Sequence, residues 1–184
     1  MRVLYIAGLG AAIALCSCRS LSLTDDPTPA NRPLFDPATA HATFATVTKV
    51  VDGDTIEVIL GTTRERVRLI GIDTPESVKP DSPIECFGIE ASSWLTQLIA
   101  VGTEVELVRD AELRDVYDRL LAYVFRRSDG LFVNLAMAND GYAGSLAIAP
   151  NTTFTEDIRT AVAQARSRRL GLWGACPNPD GLFR

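Results

Sequence analysis

Three short stretches rich in β-branched residues, joined by tight turns, leave this chain few ways to fold. Residues 43–51 read as a strand, Asp52-Gly53 as a tight turn, and residues 55–60 as a second strand. Gly61-Thr62-Thr63 offers another turn before residues 64–72, where Arg64, Arg66 and Arg68 alternate with Glu65, Val67 and Leu69. Three consecutive strands so joined form a β-meander. Its exposed edges must then be met by whatever follows.

Helical spacing follows. Trp94, Leu95, Leu98 and Ile99 predict a helix over 89–101 that Gly102 stops. Residues 103–109 and 120–126 read as further strands, and Ser128-Asp129-Gly130 turns the chain into 131–133. A short helix is expected over 134–139, and a longer one over 155–169. Thr155 is its expected cap, Glu156 and Asp157 lie near its positive end, and Arg166, Arg168 and Arg169 near its negative end. Gly171-Leu172-Trp173 is expected to pack the tail. The order predicts an α+β chain: an OB-fold, a five-stranded, partly open β-barrel with about three helices.

The N-terminus reads as an export signal. Met1 and Arg2 precede an apolar stretch over 3–15 that is short for a bilayer span. Leu15-Cys16-Ser17-Cys18 looks like a lipoprotein cleavage site with Cys18 lipidated; ordinary cleavage with release, or an uncleaved anchor, are the other readings. Residues 1–18 are thus assigned to the signal and 19–42, with Pro27, Pro29, Pro33 and Pro37, to a semi-extended tether. The folded domain is 43–184, exported to the cell envelope or secreted.

Two cysteines remain, Cys86 and Cys176. In an exported domain an even remainder reads as one disulfide, with two buried thiols as the other reading. His41 is the single histidine and precedes the domain, so no His/Cys zinc constellation is formed. The formal net charge of −5 counts against polyanion binding, so any grip on nucleic acid must come from a local cluster.

Chemistry concentrates in three stretches. Asp52-Gly53-Asp54-Thr55, alone, is ordinary hairpin chemistry and lacks the closing Glu of an EF-hand. Arg68-Leu69-Ile70-Gly71-Ile72-Asp73-Thr74-Pro75-Glu76 sets an arginine and two carboxylates at one strand end. Arg68 and Asp73 are five apart, so an unbroken strand would point them to opposite faces; a bulge or turn near Gly71 would reunite them. The third stretch is Arg114-Asp115-Val116-Tyr117-Asp118-Arg119-Leu120-Leu121-Ala122-Tyr123, of which Tyr117 through Tyr123 carry the motif.

Together with Val50-Val51 before the first stretch, Glu85-Cys86-Phe87-Gly88, Glu90-Ala91-Ser92 and Gly171-Leu172-Trp173, these resemble the thermonuclease family, the staphylococcal-nuclease-like proteins. The resemblance spans about residues 43–173. It implies that Asp54 and Asp73, with the Thr74 backbone carbonyl, hold one Ca²⁺. Glu76 would orient or deprotonate the attacking water, and Arg68 and Arg119 would hold the scissile phosphate. Asp52 would support the metal site and Tyr117 would help hold a terminal phosphate. The implied protein is a monomeric, calcium-dependent nuclease acting on DNA and RNA, touching a membrane only through an N-terminal lipid anchor. The alternative is a non-catalytic OB module that binds nucleic acid or protein.

Two departures from the family pattern stand out. Asp118 replaces a glycine beside Arg119; it is expected to face solvent, the sharper reading being a weakened phosphate grip. Residues 145–149 lack the tyrosines that stack on a base before Pro150-Asn151. Tyr142 is read either as a partial substitute or as a packing residue.

Overall fold

The computed structural model describes residues 42–77 and 84–183. Cys18, His41, the signal segment and nearly all of the 19–42 tether lie outside the described residues. Among the described residues eight strands and four α-helices follow in order: β1 (Ala42–Asp52), β2 (Thr55–Leu60), β3 (Thr63–Leu69), β4 (Gly71–Asp73), α1 (Gly88–Leu98), β5 (Glu104–Val108), β6 (Leu120–Arg126), β7 (Leu131–Phe132), α2 (Val133–Asn139), β8 (Gly144–Leu146), α3 (Thr155–Ser167) and the one-turn α4 (Leu172–Ala175).

The meander is present, with Asp52 facing Thr55 across its first turn and Leu60 facing Thr63 across its second. β5 pairs antiparallel with β1, and β6 with β5. β3 then pairs in parallel with β6 through Val67↔Leu120, Arg68↔Leu121 and Leu69↔Ala122, which closes the five strands into a barrel. Register shifts in β1 at Val47/Lys49 and Val50/Asp52 supply the bending that so small a barrel requires. Ile56, Val58, Val67, Leu69, Val105 and Leu107 are buried at alternating positions, as the period of two demands. Each contributes roughly 1.5–3 kcal/mol by leaving water.

Two helix ends differ from the sequence expectation. α1 stops at Leu98, because Gly102 gives its N–H to the Val47 carbonyl of β1, pulling residues 100–102 into a turn. Thr155 does not cap α3. Phe154 occupies the cap position, drawn into the aromatic cluster with Tyr123 (4.6 Å) and Phe132 (4.9 Å). Thr155 is thereby the first helical residue, its Oγ1 buried with no hydrogen-bond partner among the described residues. Arg166 pairs with Asp180 and lies 4.9 Å over the Trp173 ring, so it fastens the tail as well as facing the helix end.

Cys86 and Cys176 form a disulfide, joining the approach to α1 with the residue after α4. Tyr123 donates its hydroxyl to Asp110 Oδ2 at 3.0 Å and accepts the Phe154 N–H at 3.5 Å. Burial pushes this hydroxyl well above the usual phenol range. A raised native pKa gives stability that is complete below the unfolded value of about 10 and is lost as pH rises past it. Melting temperature should therefore fall with pH above that value, and Tyr123→Phe, costing about 1 kcal/mol at neutral pH, should flatten the fall.

Candidate active site

The corner between β3 and β4 sets the site. Gly71 has φ 83°, a left-handed conformation that side chains resist, and a Cβ there would stand 2.6 Å from Ile158 Cδ1. Just before it, the Ile70 carbonyl accepts the Asn134 Nδ2–H at 2.8 Å, while Asn134 Oδ1 accepts the Val124 N–H at 2.9 Å. This corner turns Arg68 and Asp73 to one side, as the spacing argument required.

Arg68 is tightly engaged. Its Nη1 donates to the Leu69 carbonyl at 2.7 Å and the Ile72 carbonyl at 3.0 Å, wrapping the corner. Its Nη2 meets Asp54 Oδ2 at 3.0 Å and Asp73 Oδ1 at 3.2 Å. The Arg68 side chain is 12% exposed. It therefore serves the two carboxylates and the corner before any other partner.

Asp54 is 7% exposed, at the start of β2. Its Oδ1 accepts the Thr55 hydroxyl at 3.0 Å, and its Oδ2 accepts the Thr74 N–H at 3.4 Å. Burial raises its pKa despite the neighbouring Arg68 guanidinium. Asp73 is raised by burial too; Arg68 opposes the shift, and the Asp54 charge adds to it. One arginine thus under-compensates two carboxylates. That deficit and the donor chemistry fit a hard divalent cation: two carboxylates beside the Thr74 main chain, with no imidazole or thiolate. Among the described residues no group of three or more His, Cys, Asp or Glu side chains could hold a metal ion.

Asp52 stands behind this pair. Its Oδ1 accepts the Gly53 N–H at 2.8 Å, the Ser77 hydroxyl at 2.7 Å and the Ser92 hydroxyl at 3.2 Å. It ties the first turn to the segment after Glu76 and to α1.

Arg119 approaches from the start of β6. Asp115 Oδ2 accepts its Nε–H at 2.7 Å and Asp115 Oδ1 its backbone N–H at 2.9 Å. Partial burial opposes ionisation of Asp115, but these bonds outweigh it and hold the carboxyl below its ordinary value. One edge of the guanidinium is thereby fixed, and Nη1 reaches to 3.5 Å from Thr55 Oγ1. The Tyr117 ring, 78% exposed, lies 5.5 Å from the Arg119 guanidinium carbon. Asp118 takes the left-handed φ of 62° that a glycine would tolerate better. Its side chain is 88% exposed and turns to Arg114, not to Arg119, so the solvent-facing expectation holds.

All eight residues singled out around the site line one open cleft of about 570 Å³: Asp52, Asp54, Arg68, Asp73, Thr74, Glu76, Tyr117 and Arg119. A smaller hollow of about 270 Å³ adjoins it, with Leu121, Leu146, Ile148 and Tyr117 in its walls. Tyr142 is not there. It stacks on Trp94 at 5.2 Å and tilts against Phe87 at 5.2 Å, which decides for packing.

Residues 66–175 match the family model described as staphylococcal nuclease homologue. The chain belongs to the staphylococcal nuclease family. It is 39% identical over 127 residues to the thermonuclease of Staphylococcus intermedius, covering 69% of this chain and 74% of the relative. The thermonuclease of Staphylococcus hyicus is 36% identical over 127 residues, 69% and 73% of the two chains. Endonuclease YncB of Bacillus subtilis is 35% identical over 130 residues, 70% and 60%.

Several residues that shape this staphylococcal nuclease-family site had no role in the sequence reading, although Thr55, Ser92 and Asp115 stand in stretches it singled out. Asp115 holds Arg119, Thr55 bridges Asp54 and Arg119, and Ser77 and Ser92 hold Asp52. Asp115, four residues before Arg119 in a turn, had a readable signal. Ser92 had none, since its partner lies 40 residues away.

Proposed function

We propose that this nuclease hydrolyses phosphodiester bonds of DNA and RNA with Ca²⁺ as its ion. Convergence of two buried, under-compensated carboxylates and two arginines on one cleft carries this reading. Asp54, Asp73 and the Thr74 carbonyl would hold the ion, and Asp52 would support them. Bound there, a divalent cation would supply neutralising charge to the phosphate and to the two carboxylates, and Arg68, whose Nη2 now meets both of them, would turn that donor to a phosphate oxygen. Arg119 presents the guanidinium edge that Asp115 leaves over, and Tyr117 sits where a terminal phosphate would meet it. Glu76 orients or deprotonates the water whose oxygen forms the new bond to phosphorus as the ester oxygen departs in line. Planar forks suit this work because two donors meet two oxygens at once. A binding module would have no use for two buried carboxylates that share one arginine.

In this reading the nuclease acts as a monomer outside the cytoplasm, exported by residues 1–18 and followed by the 19–42 tether, and is either lipid-anchored through Cys18 or secreted. The Cys86–Cys176 disulfide supports an oxidising compartment. Leu146 and Ile148 line the adjoining hollow where the family's stacking tyrosines are absent, so the grip on a base is weaker.

The ligand assignment is tested by calcium titration of DNA cleavage. Asp54→Asn and Asp73→Asn should each raise the half-saturating Ca²⁺ concentration by about tenfold or more, one lost charge contact costing roughly 1.4 kcal/mol at least. Unchanged half-saturation in both variants would refute it.

A further inference from the structure

Glu76 lies three residues beyond β4, in a stretch without regular structure, so the barrel ladder does not fix its direction. Its main chain is held instead by Glu85. Glu85 Oε2 accepts the Glu76 N–H at 2.8 Å, and the Glu85 N–H donates to the Glu76 carbonyl at 3.0 Å. One residue, nine positions later, thereby secures both peptide groups that flank the Glu76 Cα. Gly88 closes on the same stretch. A Cβ on Gly88 would stand 2.6 Å from the Glu76 carbonyl oxygen and 3.1 Å from that of Pro75, so only glycine permits the approach. The Gly88 N–H donates to the Glu85 carbonyl at 3.1 Å, which locks the two contacts to each other. Between them, Cys86 is bonded to Cys176, anchoring the strap to the chain just past α4. On the other flank Ser77 is held by Asp52 at 2.7 Å.

We propose that Glu85 is a positioning residue for Glu76: its carboxylate and main chain fix the Glu76 backbone, and so the direction from which Glu76 meets the attacking water. This rests on the role given to Glu76 above. Toward Glu76 the carboxylate acts as a hydrogen-bond acceptor of set length; its charge is felt separately, at Asp73. Glutamine can therefore replace it, whereas aspartate, one methylene shorter, cannot reach.

The test is steady-state cleavage of single-stranded DNA at saturating Ca²⁺ by wild type, Glu85→Ala, Glu85→Gln, Glu85→Asp, Glu76→Ala and the Glu76→Ala/Glu85→Ala double variant. Glu85→Ala and Glu85→Asp should lower kcat roughly 10- to 100-fold, the scale of a small misplacement of a reacting group. At saturating Ca²⁺ KM should stay within about twofold, and Glu85→Gln should keep kcat within about threefold of wild type. The double variant should be no slower than Glu76→Ala, because a residue acting only through Glu76 has nothing left to position. If Glu85→Ala does not fold, the contrast between Glu85→Asp and Glu85→Gln decides alone. Wild-type kcat in Glu85→Ala or Glu85→Asp, beside a collapsed Glu76→Ala, would overturn the proposal and leave the role of Glu76 standing. Additive losses in the double variant would overturn it as well, by giving Glu85 an independent role. Full activity in Glu76→Ala would instead remove the reading on which it rests.

Discussion

Replacing Arg119 with alanine should lower kcat by roughly two to three orders of magnitude, the usual cost of one preorganised donor aimed at developing charge. The fold should survive, because the Asp115–Arg119 pair is partly exposed and such pairs contribute at most about 1 kcal/mol. Arg119→Lys should not restore the rate. Asp115 takes the Nε edge, at 2.7 Å, and the rest of the fork is turned toward Thr55 and the cleft. A lysine has one nitrogen for both tasks and no plane to fix. Kinetics on a defined oligonucleotide, with a thermal melt of each variant, would check this. Wild-type kcat in both variants would remove Arg119 from the phosphate site.

The second large effect is on stability. The Cys86–Cys176 disulfide spans a sequence separation of 90 residues. Chain entropy alone then assigns it about 4–5 kcal/mol. In a domain of this size, its loss by reduction or by Cys86→Ala/Cys176→Ala should lower the melting temperature by on the order of 15 °C. Calorimetry with and without reductant measures this directly, and an unchanged midpoint would show that the cross-link constrains little. The same bond anchors the strap that holds Glu76, so stability and catalysis meet at one cross-link.

Much of this was legible in the sequence, for reasons particular residues make plain. The first turn pairs Asp52 with Thr55, and β-branched runs on either side leave a strand register little choice. Arg68 and Asp73 could be brought together on paper because their five-residue separation forbids a shared strand face and Gly71 offers the break. What escaped was long-range. The Asn134 bonds to Ile70 and Val124, the β4–β8 pairing over three residues, and the Ser92–Asp52 contact have no local periodicity to betray them. Thr155 was expected to cap α3 on propensity, and tertiary packing of Phe154 prevailed. Tyr142 could be read two ways until Trp94 was seen against it. Within the site, which side chains would line the cleft was easier to foresee than what supports them, since Asp115, Ser77 and Glu85 act through neighbours; Glu85 stands in a stretch that carries the family resemblance, yet its sequence names no partner.

The most direct measurement is digestion of single-stranded DNA and of RNA by the purified domain, with Ca²⁺ or with a calcium chelator. The account predicts cleavage of both nucleic acids with Ca²⁺, none with chelator, and recovery when Ca²⁺ is restored. Bound but uncleaved nucleic acid in the presence of Ca²⁺, or undiminished cleavage in chelator, would contradict it.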